Sequence, residues 1–419
     1  MAMKLLKLPP YNSVEQVSSS HLGKDLTEAF VKAGIQIEIH CPTPSRNIDK
    51  ELRKKYSRMF YEEKYDGLVK IYRFRMFPEG KNSLLRAFRY LCCNLIQYFK
   101  GSKVMDADVI FGQSTPPTQG LLCGLVKRSL ERKTGKKIPF IYILQDIFPD
   151  SLVNTGLTKK GSILWKIGRK IEDFTYRNAD KIIVISEGFK KNIMAKGVAE
   201  EKIEVIPNWV DMKDVHPIQR QLNPLISELN IDSSKFIVLY AGNFGRAQGA
   251  DIVIKAAERL IGNDHIKFVI FGGGAEFQDA VDYVEEKHLT NVIIRPLLPP
   301  ERVSEVYSLG DIAVITCKEG MGSSCVPSKT WSIMACGTPI LASFDLNSEL
   351  CQLLHNTQCG VCVKPTCVED FCLGIEKLYN TANLKQWGTR GLEYLYNFLN
   401  KEKCVEEYIN IIMNSQNNE

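Results

Sequence analysis

Apolar residues in this chain fall in short runs, separated by stretches with helical spacing, and the alternation repeats from end to end. Residues 4–8 form a basic-apolar run, a polar loop follows, and residues 23–32 carry a helical pattern. Strand-like runs then occupy residues 35–40 (ending at Cys41-Pro42), 69–74, 109–111, 139–144 and 181–185, with helical stretches between them. Such alternation predicts α/β architecture with parallel, doubly wound sheets. The segment Ile-Glu-Val-Ile-Pro-Asn-Trp-Val-Asp211 closes this half, and the proline-containing, aperiodic stretch 212–234 reads as a linker. A second half opens with a strand at 236–240 and a helix at 250–260. It continues with strands at 267–271, 291–295 and 312–316 and an apolar strand after Gly337-Thr-Pro339, and ends in a mostly helical stretch, 391–413.

A chain of 419 residues exceeds one ordinary core. The pattern predicts an N-terminal domain, 1–212, a C-terminal domain, 213–390, and a helical tail, 391–419, expected to return towards the first domain. Apolar runs fall short of the roughly 18 residues a spanning helix needs, and the N-terminus shows no leader pattern. The thirteen cysteines are scattered. They include an adjacent pair, Cys92-Cys93, and a lone C-x-x-C at Cys359 and Cys362 with no second pair to complete a zinc cage. Reduced thiols and a cytoplasmic location are the expectation. The net charge of +6 hides an asymmetry, because residues 1–210 carry +14 and residues 211–419 carry −8. A basic half suits an anionic surface or ligand.

The chemistry concentrates in the second half. Residues 320–329, Gly-Met-Gly-Ser-Ser-Cys-Val-Pro-Ser328-Lys329, lead a small-residue loop with one lysine into a helical stretch. Upstream, Gly242-Asn243-Phe244-Gly245-Arg246-Ala-Gln-Gly249 joins a strand to a helix. Glycines let backbone N–H groups approach an anion, and Arg246 and Lys329 add charge. Two such loops in one α/β half point to a nucleotide-sugar site. Gly272-Gly273-Gly274 is not a G-x-G-x-x-G fingerprint. It and Pro296-Leu297-Leu298-Pro-Pro300 are turns at strand ends, the edge where open α/β sheets bind ligands. In the first half, Gln113-Ser-Thr-Pro-Pro117 and Gln145-Asp146-Ile-Phe-Pro-Asp-Ser151 also follow strands. Asp146 could position or deprotonate a sugar hydroxyl. Residues 84–103 are dense in leucine and aromatics (Leu85, Phe88, Leu91, Leu95 and Phe99 among them), rimmed by Lys81, Arg86, Arg89, Lys100 and Lys103. That composition suits either a membrane-interface helix or a core helix with cationic ends.

Together these motifs resemble glycosyltransferase family 4. The resemblance spans nearly the whole chain through Ile-Pro-Asn-Trp-Val-Asp211, Ala-Gly-Asn-Phe-Gly-Arg-Ala-Gln-Gly249, Phe-Gly-Gly-Gly-Ala-Glu276 and Met-Ala-Cys-Gly-Thr-Pro-Ile340. Gln-Asp-Ile-Phe-Pro-Asp-Ser151 and Val-Pro-Ser-Lys329 look most like the WbuB-like branch that builds O-antigens, capsules and colanic acid. The resemblance implies a GT-B fold: two facing Rossmann-like domains with a cleft between them. It implies a retaining transferase that takes a sugar from a nucleoside-diphosphate sugar, most simply a UDP sugar, without a metal or other cofactor. It implies an undecaprenyl-diphosphate-linked saccharide acceptor at the cytoplasmic face of a bacterial membrane, and no nucleic acid. Asp146, Arg246 and Lys329 carry the expected catalytic roles. Gly242, Asn243, Phe244, Gly245, Arg246, Gly273, Leu297, Leu298, Ser328, Lys329 and Glu349 are the expected donor contacts. Three departures stand out. The family's paired glutamates are replaced by Ser324 and Ser332, and Glu349 is the candidate substitute for the ribose ligand. The usual diphosphate Arg and Lys align with Asn243 and Gln248. A usual histidine aligns with Gln145. Two other readings fit the same residues: an epimerase or hydrolase acting on its own nucleotide sugar, and an inactive nucleotide-sugar-binding protein.

Overall fold

The computed structural model describes the chain except residues 1, 12–13, 16–19, 47, 79–82, 155, 157, 246, 323–325 and 417–419, and the side chains of 20–21, 83–84 and 154. It forms two units, Met1–Pro207 with Glu402–Glu419, and Asn208–Lys401.

In chain order the first unit holds β1 (Lys4–Lys7), α1 (Ser20–Lys32), β2 (Gln36–Pro42), α2 (Lys50–Tyr56), β3 (Tyr61–Lys64), β4 (Val69–Phe74) and α3 (Ser83–Gly101). There follow β5 (Val109–Gln113), α4 (Thr118–Thr134), β6 (Phe140–Leu144), α5 (Asp150–Asn154), α6 (Ile163–Asn178), β7 (Lys181–Val184), α7 (Glu187–Ala195) and β8 (Ile203–Val205). The strands lie in the order β3-β4-β2-β1-β5-β6-β7-β8, and every neighbouring pair is parallel except β3 with β4. The strand β6, Phe-Ile-Tyr-Ile-Leu, is buried at all five positions, as a central parallel strand must be when both faces are covered. On one face α4 packs between α3 and α6.

The second unit holds α8 (Pro224–Glu228), β9 (Phe236–Asn243), α9 (Asp251–Arg259), β10 (Ile266–Gly273), α10 (Phe277–Glu286), β11 (Val292–Pro296), α11 (Val303–Leu309) and β12 (Ile312–Thr316). It continues with α12 (Lys329–Ala335), β13 (Ile340–Ser343), α13 (Glu349–Thr357), β14 (Gly360–Val363), α14 (Val368–Tyr379) and α15 (Leu384–Phe398). Its sheet runs β11-β10-β9-β12-β13-β14, parallel throughout. The order reverses between β9 and β12, and that switch point is where doubly wound sheets open a crevice at their C-terminal edge. The aperiodic linker is not wholly irregular: Asn223 caps the short α8, which begins at Pro224.

The last helix, α16 (Lys401–Asn414), belongs to the first unit, where Tyr408 packs edge-on against Phe111 and Phe111 against Phe30. The cysteines depart from expectation at one place. Cys351 of α13 and Cys362 of β14 form a disulfide with Cα atoms 5.5 Å apart. Ten other described cysteines are free.

Candidate functional site

The strands β9 and β10 run on through their glycines, so Gly242 pairs with Gly272 and Asn243 with Gly273. The N–H of Phe244 donates to Gly273 O at 2.6 Å, Glu276 N–H donates to Phe244 O at 2.9 Å, and Leu297 N–H donates to Gly272 O at 2.9 Å. Three turns at the ends of β9, β10 and β11 are thereby tied into one surface. Gly274 sits at φ +113°, and a Cβ there would lie 2.0 Å from Asn243 Oδ1. Only glycine fits that backbone without displacing Asn243.

Lys329 reaches this surface from the other side of the switch point. Its Nζ stands 4.5 Å from the centre of the Tyr240 ring, and a Cβ on Gly242 would lie 2.6 Å from Nζ. Among the described residues it forms no ion pair. The residue is partly buried, and desolvation pushes the amine down to about 8. Tyr240 is fully buried, donates its hydroxyl to Asn243 O at 3.0 Å, and is pushed up to about 12 by the same desolvation. An ammonium over a tyrosine face is attracted by the ring quadrupole, but that is weaker than a carboxylate partner. The loop before α12 is anchored by Asp345, whose carboxylate accepts the N–H groups of Gly320 (2.9 Å) and Gly322 (2.8 Å). Asp345 belongs to none of the sequence motifs. Its only signal was a carboxylate two residues beyond a buried strand.

The structure therefore brings Gly242, Asn243, Phe244, Gly273, Leu297 and Lys329 together at one sheet edge. Gly245 continues the same turn, where a Cβ would lie 2.8 Å from Asn243 Nδ2. Leu298 is partly buried and Ser328 exposed. Glu349 is the first residue of α13, one strand further along, at the end of β13; Ser348 Oγ caps that helix by accepting Cys351 N–H at 3.3 Å. Arg246 and Ser324 lie outside the described residues. The helix after this loop is short, only Lys329–Ala335, so among the described residues of these loops the lysine side chain is the cationic element displayed.

In the first unit, Ser114 Oγ accepts the N–H groups of Gln145 (2.9 Å) and Asp146 (3.1 Å), joining the loops after β5 and β6. Thr115–Pro116 and Phe148–Pro149 in these loops are cis. The Asp146 residue is exposed at its surface, yet crowded surroundings desolvate its carboxyl. That desolvation raises it above the usual carboxylate range, against hydrogen bonds from Ser151 and the Ile147 N–H.

The helix α3 presents Leu85, Phe88, Leu91, Leu95 and Phe99 to solvent, each between 57% and 60% exposed. Their spacing of three and four places them on one face. The core alternative for this stripe is thereby removed, but Arg89 leaves its cationic rim, because it is fully buried; Lys81 lies outside the described residues. A second patch went unread in the sequence. On α6, Ile163, Leu164 and Ile167 are 80%, 50% and 51% exposed, and Lys159, Lys160, Lys166 and Lys170 around them are exposed. Among the described residues no helix is long and apolar enough to cross a membrane, and no group of three or more His, Cys, Asp or Glu could hold a metal ion.

Two Rossmann-like sheets, with glycine turns and a lysine gathered at the second one's switch point, are the architecture of the GT-B fold. Residues 23–214 match the Glycosyltransferase Family 4 model and residues 224–391 the Glycosyl transferases group 1 model, and the chain belongs to this family. It is 26% identical over 369 residues to the putative colanic acid biosynthesis glycosyl transferase WcaI of Escherichia coli, covering 86% of this chain and 88% of that one. It is 28% identical to the probable glycosyltransferase WbjE of Pseudomonas aeruginosa, covering 68% of each. Among solved structures, sucrose-phosphate synthase from Thermosynechococcus elongatus superposes with a TM-score of 0.74 over 98% of both chains at 17% identity. HepE of Anabaena, in complex with UDP and glucose, superposes with a TM-score of 0.69 over 98% of this chain and 99% of that one at 13% identity. The chain is a GT-B glycosyltransferase.

Proposed function

We propose that the enzyme is a retaining transferase that moves a sugar from a UDP sugar to an undecaprenyl-diphosphate-linked saccharide in bacterial surface polysaccharide biosynthesis, at the cytoplasmic face of the membrane. The observation that carries the donor assignment is the Lys329 ammonium beside Gly242 at the switch point, held there without a carboxylate among the described residues. HepE, solved with UDP on the same fold, supports the choice of nucleotide. Lys329 receives the charge that grows on the departing diphosphate, which is electrostatic stabilisation by a group already in place, and Arg246 adds a second positive charge. They supply the neutralisation that lets the reaction run without a metal. Glu349 takes the ribose hydroxyls. Transfer proceeds on the face from which the diphosphate leaves, without a covalent enzyme intermediate, and Asp146, with its raised carboxyl, orients the acceptor hydroxyl or accepts its proton.

The exposed stripe of α3 and the patch on α6 support peripheral membrane contact. Apolar side chains enter the interface while the lysines around α6 meet anionic lipid, each worth about 1 kcal/mol near the surface. The test combines turnover with sedimentation. Purified enzyme should transfer sugar from UDP sugars to a polyprenyl-diphosphate saccharide in EDTA, with retention at the anomeric carbon. It should also sediment with anionic liposomes at low salt. Replacing Phe88, Leu91 and Leu95 by Ser should abolish sedimentation and leave UDP binding intact. Inversion, loss of turnover in EDTA, or sedimentation unchanged by the triple replacement would each overturn the corresponding part.

A further inference from the structure

The reverse face of α3 carries a second feature. Arg89 is 0% exposed and is among the largest fully buried side chains in the protein. Its Nε donates to Phe77 O at 3.0 Å and its Nη2 to Ser45 Oγ at 3.2 Å. Its Nη1 is buried without a partner, and among the described residues Arg89 makes no ion pair. A buried guanidinium without an anion is costly, because desolvation is not repaid by a Coulombic partner. Glu15, itself 1% exposed, lies in the same group of loops, but its Oε1 accepts the N–H groups of Ser45 and Arg46 at 2.8 Å each.

Position adds a second argument. Ser45 and Arg46 follow β2 and Phe77 follows β4, so the Arg89 head lies at the C-terminal edge of the first sheet, where parallel sheets take ligands. Arg46 brings another guanidinium there. Its Nη1 donates to the Tyr11 hydroxyl at 2.8 Å, and that hydroxyl is hydrogen-bonded to Tyr90, the neighbour of Arg89 on α3. The stretch that buries Arg89 on one side exposes Leu85 and Phe88 on the other. A ligand with a multiply charged anionic head and a long apolar tail matches both faces of this one helix.

We propose that Arg89, Arg46 and Ser45 form the subsite for the diphosphate of a lipid-linked acceptor. The proposal rests on the lipid-linked reading of the acceptor given above. The guanidinium forks bind phosphoryl oxygens, Arg89 Nη1 gains its missing acceptor, and the polyprenyl tail leaves along the α3 stripe.

The test uses the full chain with saturating UDP, which blocks the donor site. Farnesyl diphosphate, farnesyl monophosphate and inorganic pyrophosphate are each titrated by calorimetry. Farnesyl diphosphate should bind at least tenfold more tightly than the other two. Arg89→Met and Arg46→Gln should each weaken it at least tenfold while UDP affinity is unchanged. In turnover, both variants should raise KM for a polyprenyl-diphosphate acceptor and leave KM for a soluble acceptor glycoside unmoved, a split that a merely structural arginine would not produce. If Arg89→Met does not fold, as loss of part of the cooperative urea transition of the wild type would show, Arg46→Gln decides alone. Equal binding of pyrophosphate and farnesyl diphosphate overturns the lipid assignment, and variants that bind like the wild type overturn the subsite. Turnover of the polyprenyl-diphosphate acceptor with KM unchanged in the variants sinks the subsite and spares the proposed function. Binding lost in the variants without any wild-type turnover does the reverse.

Discussion

Replacing Lys329 by Met should make the ligand-free enzyme more stable and a poorer binder of UDP. The amine is pushed down to about 8 from the ordinary 10.5 by desolvation alone. At 1.36 kcal/mol per pH unit, holding the charged form there costs about 3 kcal/mol at pH 7. The side chain is partly exposed, so solvent screening reduces the net figure to on the order of 1–2 kcal/mol. Methionine keeps most of the apolar stem against Tyr240 and removes the charge. The urea midpoint of the ligand-free variant should rise with an unchanged slope. A charge-assisted hydrogen bond to the diphosphate is worth about 1.5–3 kcal/mol, so the Kd for UDP should rise about 10- to 150-fold while uridine binds as before. The pH dependence carries the same signature. Because the folded value lies below the unfolded one, the unfolded chain holds more protons between about pH 8 and 10.5. Wild-type stability should therefore gain with rising pH across that window relative to the variant, and the difference should be flat below it. Equal losses for UDP and uridine, or a variant less stable than the wild type, would refute the assignment of Lys329 as an uncompensated cation facing the diphosphate.

Other outcomes follow from the same geometry. At pH 9, UDP binding should draw a proton onto Lys329, seen as a dependence of the calorimetric enthalpy on buffer ionisation that is absent at pH 7. Glu349→Gln should weaken UDP more than 2′,3′-dideoxy-UDP, since the carboxylate is assigned to the ribose hydroxyls; an unchanged UDP affinity would show that the ribose is held elsewhere. Gly274→Ala places a methyl 2.0 Å from Asn243 Oδ1 at φ +113° and should cost about 1–3 kcal/mol in urea denaturation.

The central strands were legible because burial on both faces writes them as unbroken apolar runs. Residues 312–316 were read with the bounds the structure gives β12, and residues 69–74, where apolar residues alternate with charged or polar ones, with those of β4. Two edge strands were not. The antiparallel β3, Tyr-Glu-Glu-Lys, carries charge along an exposed margin, and β14, Gly-Val-Cys-Val, is too short to leave a period. The glycine loops and Lys329 were visible as motifs, but Asp345 anchors its loop through backbone N–H groups that no residue pattern announces. Arg89 shows the limit most clearly. By composition it belonged to a basic rim, whereas its burial depends on Ser45 and Phe77, contacts 44 and 12 residues away in sequence.

The membership of α16 bears on how the protein is made. Tyr408 and Ile412 are buried within the first unit, yet they are translated after the whole of the second. The ribosome thus releases a nearly complete first sheet with Phe111 lacking one of its ring neighbours, then synthesises an entire second unit before supplying the missing piece. The first unit to emerge is the last to be finished. A nascent chain stalled before residue 401 therefore exposes an apolar seam, one that a chaperone would have to cover until the final helix arrives.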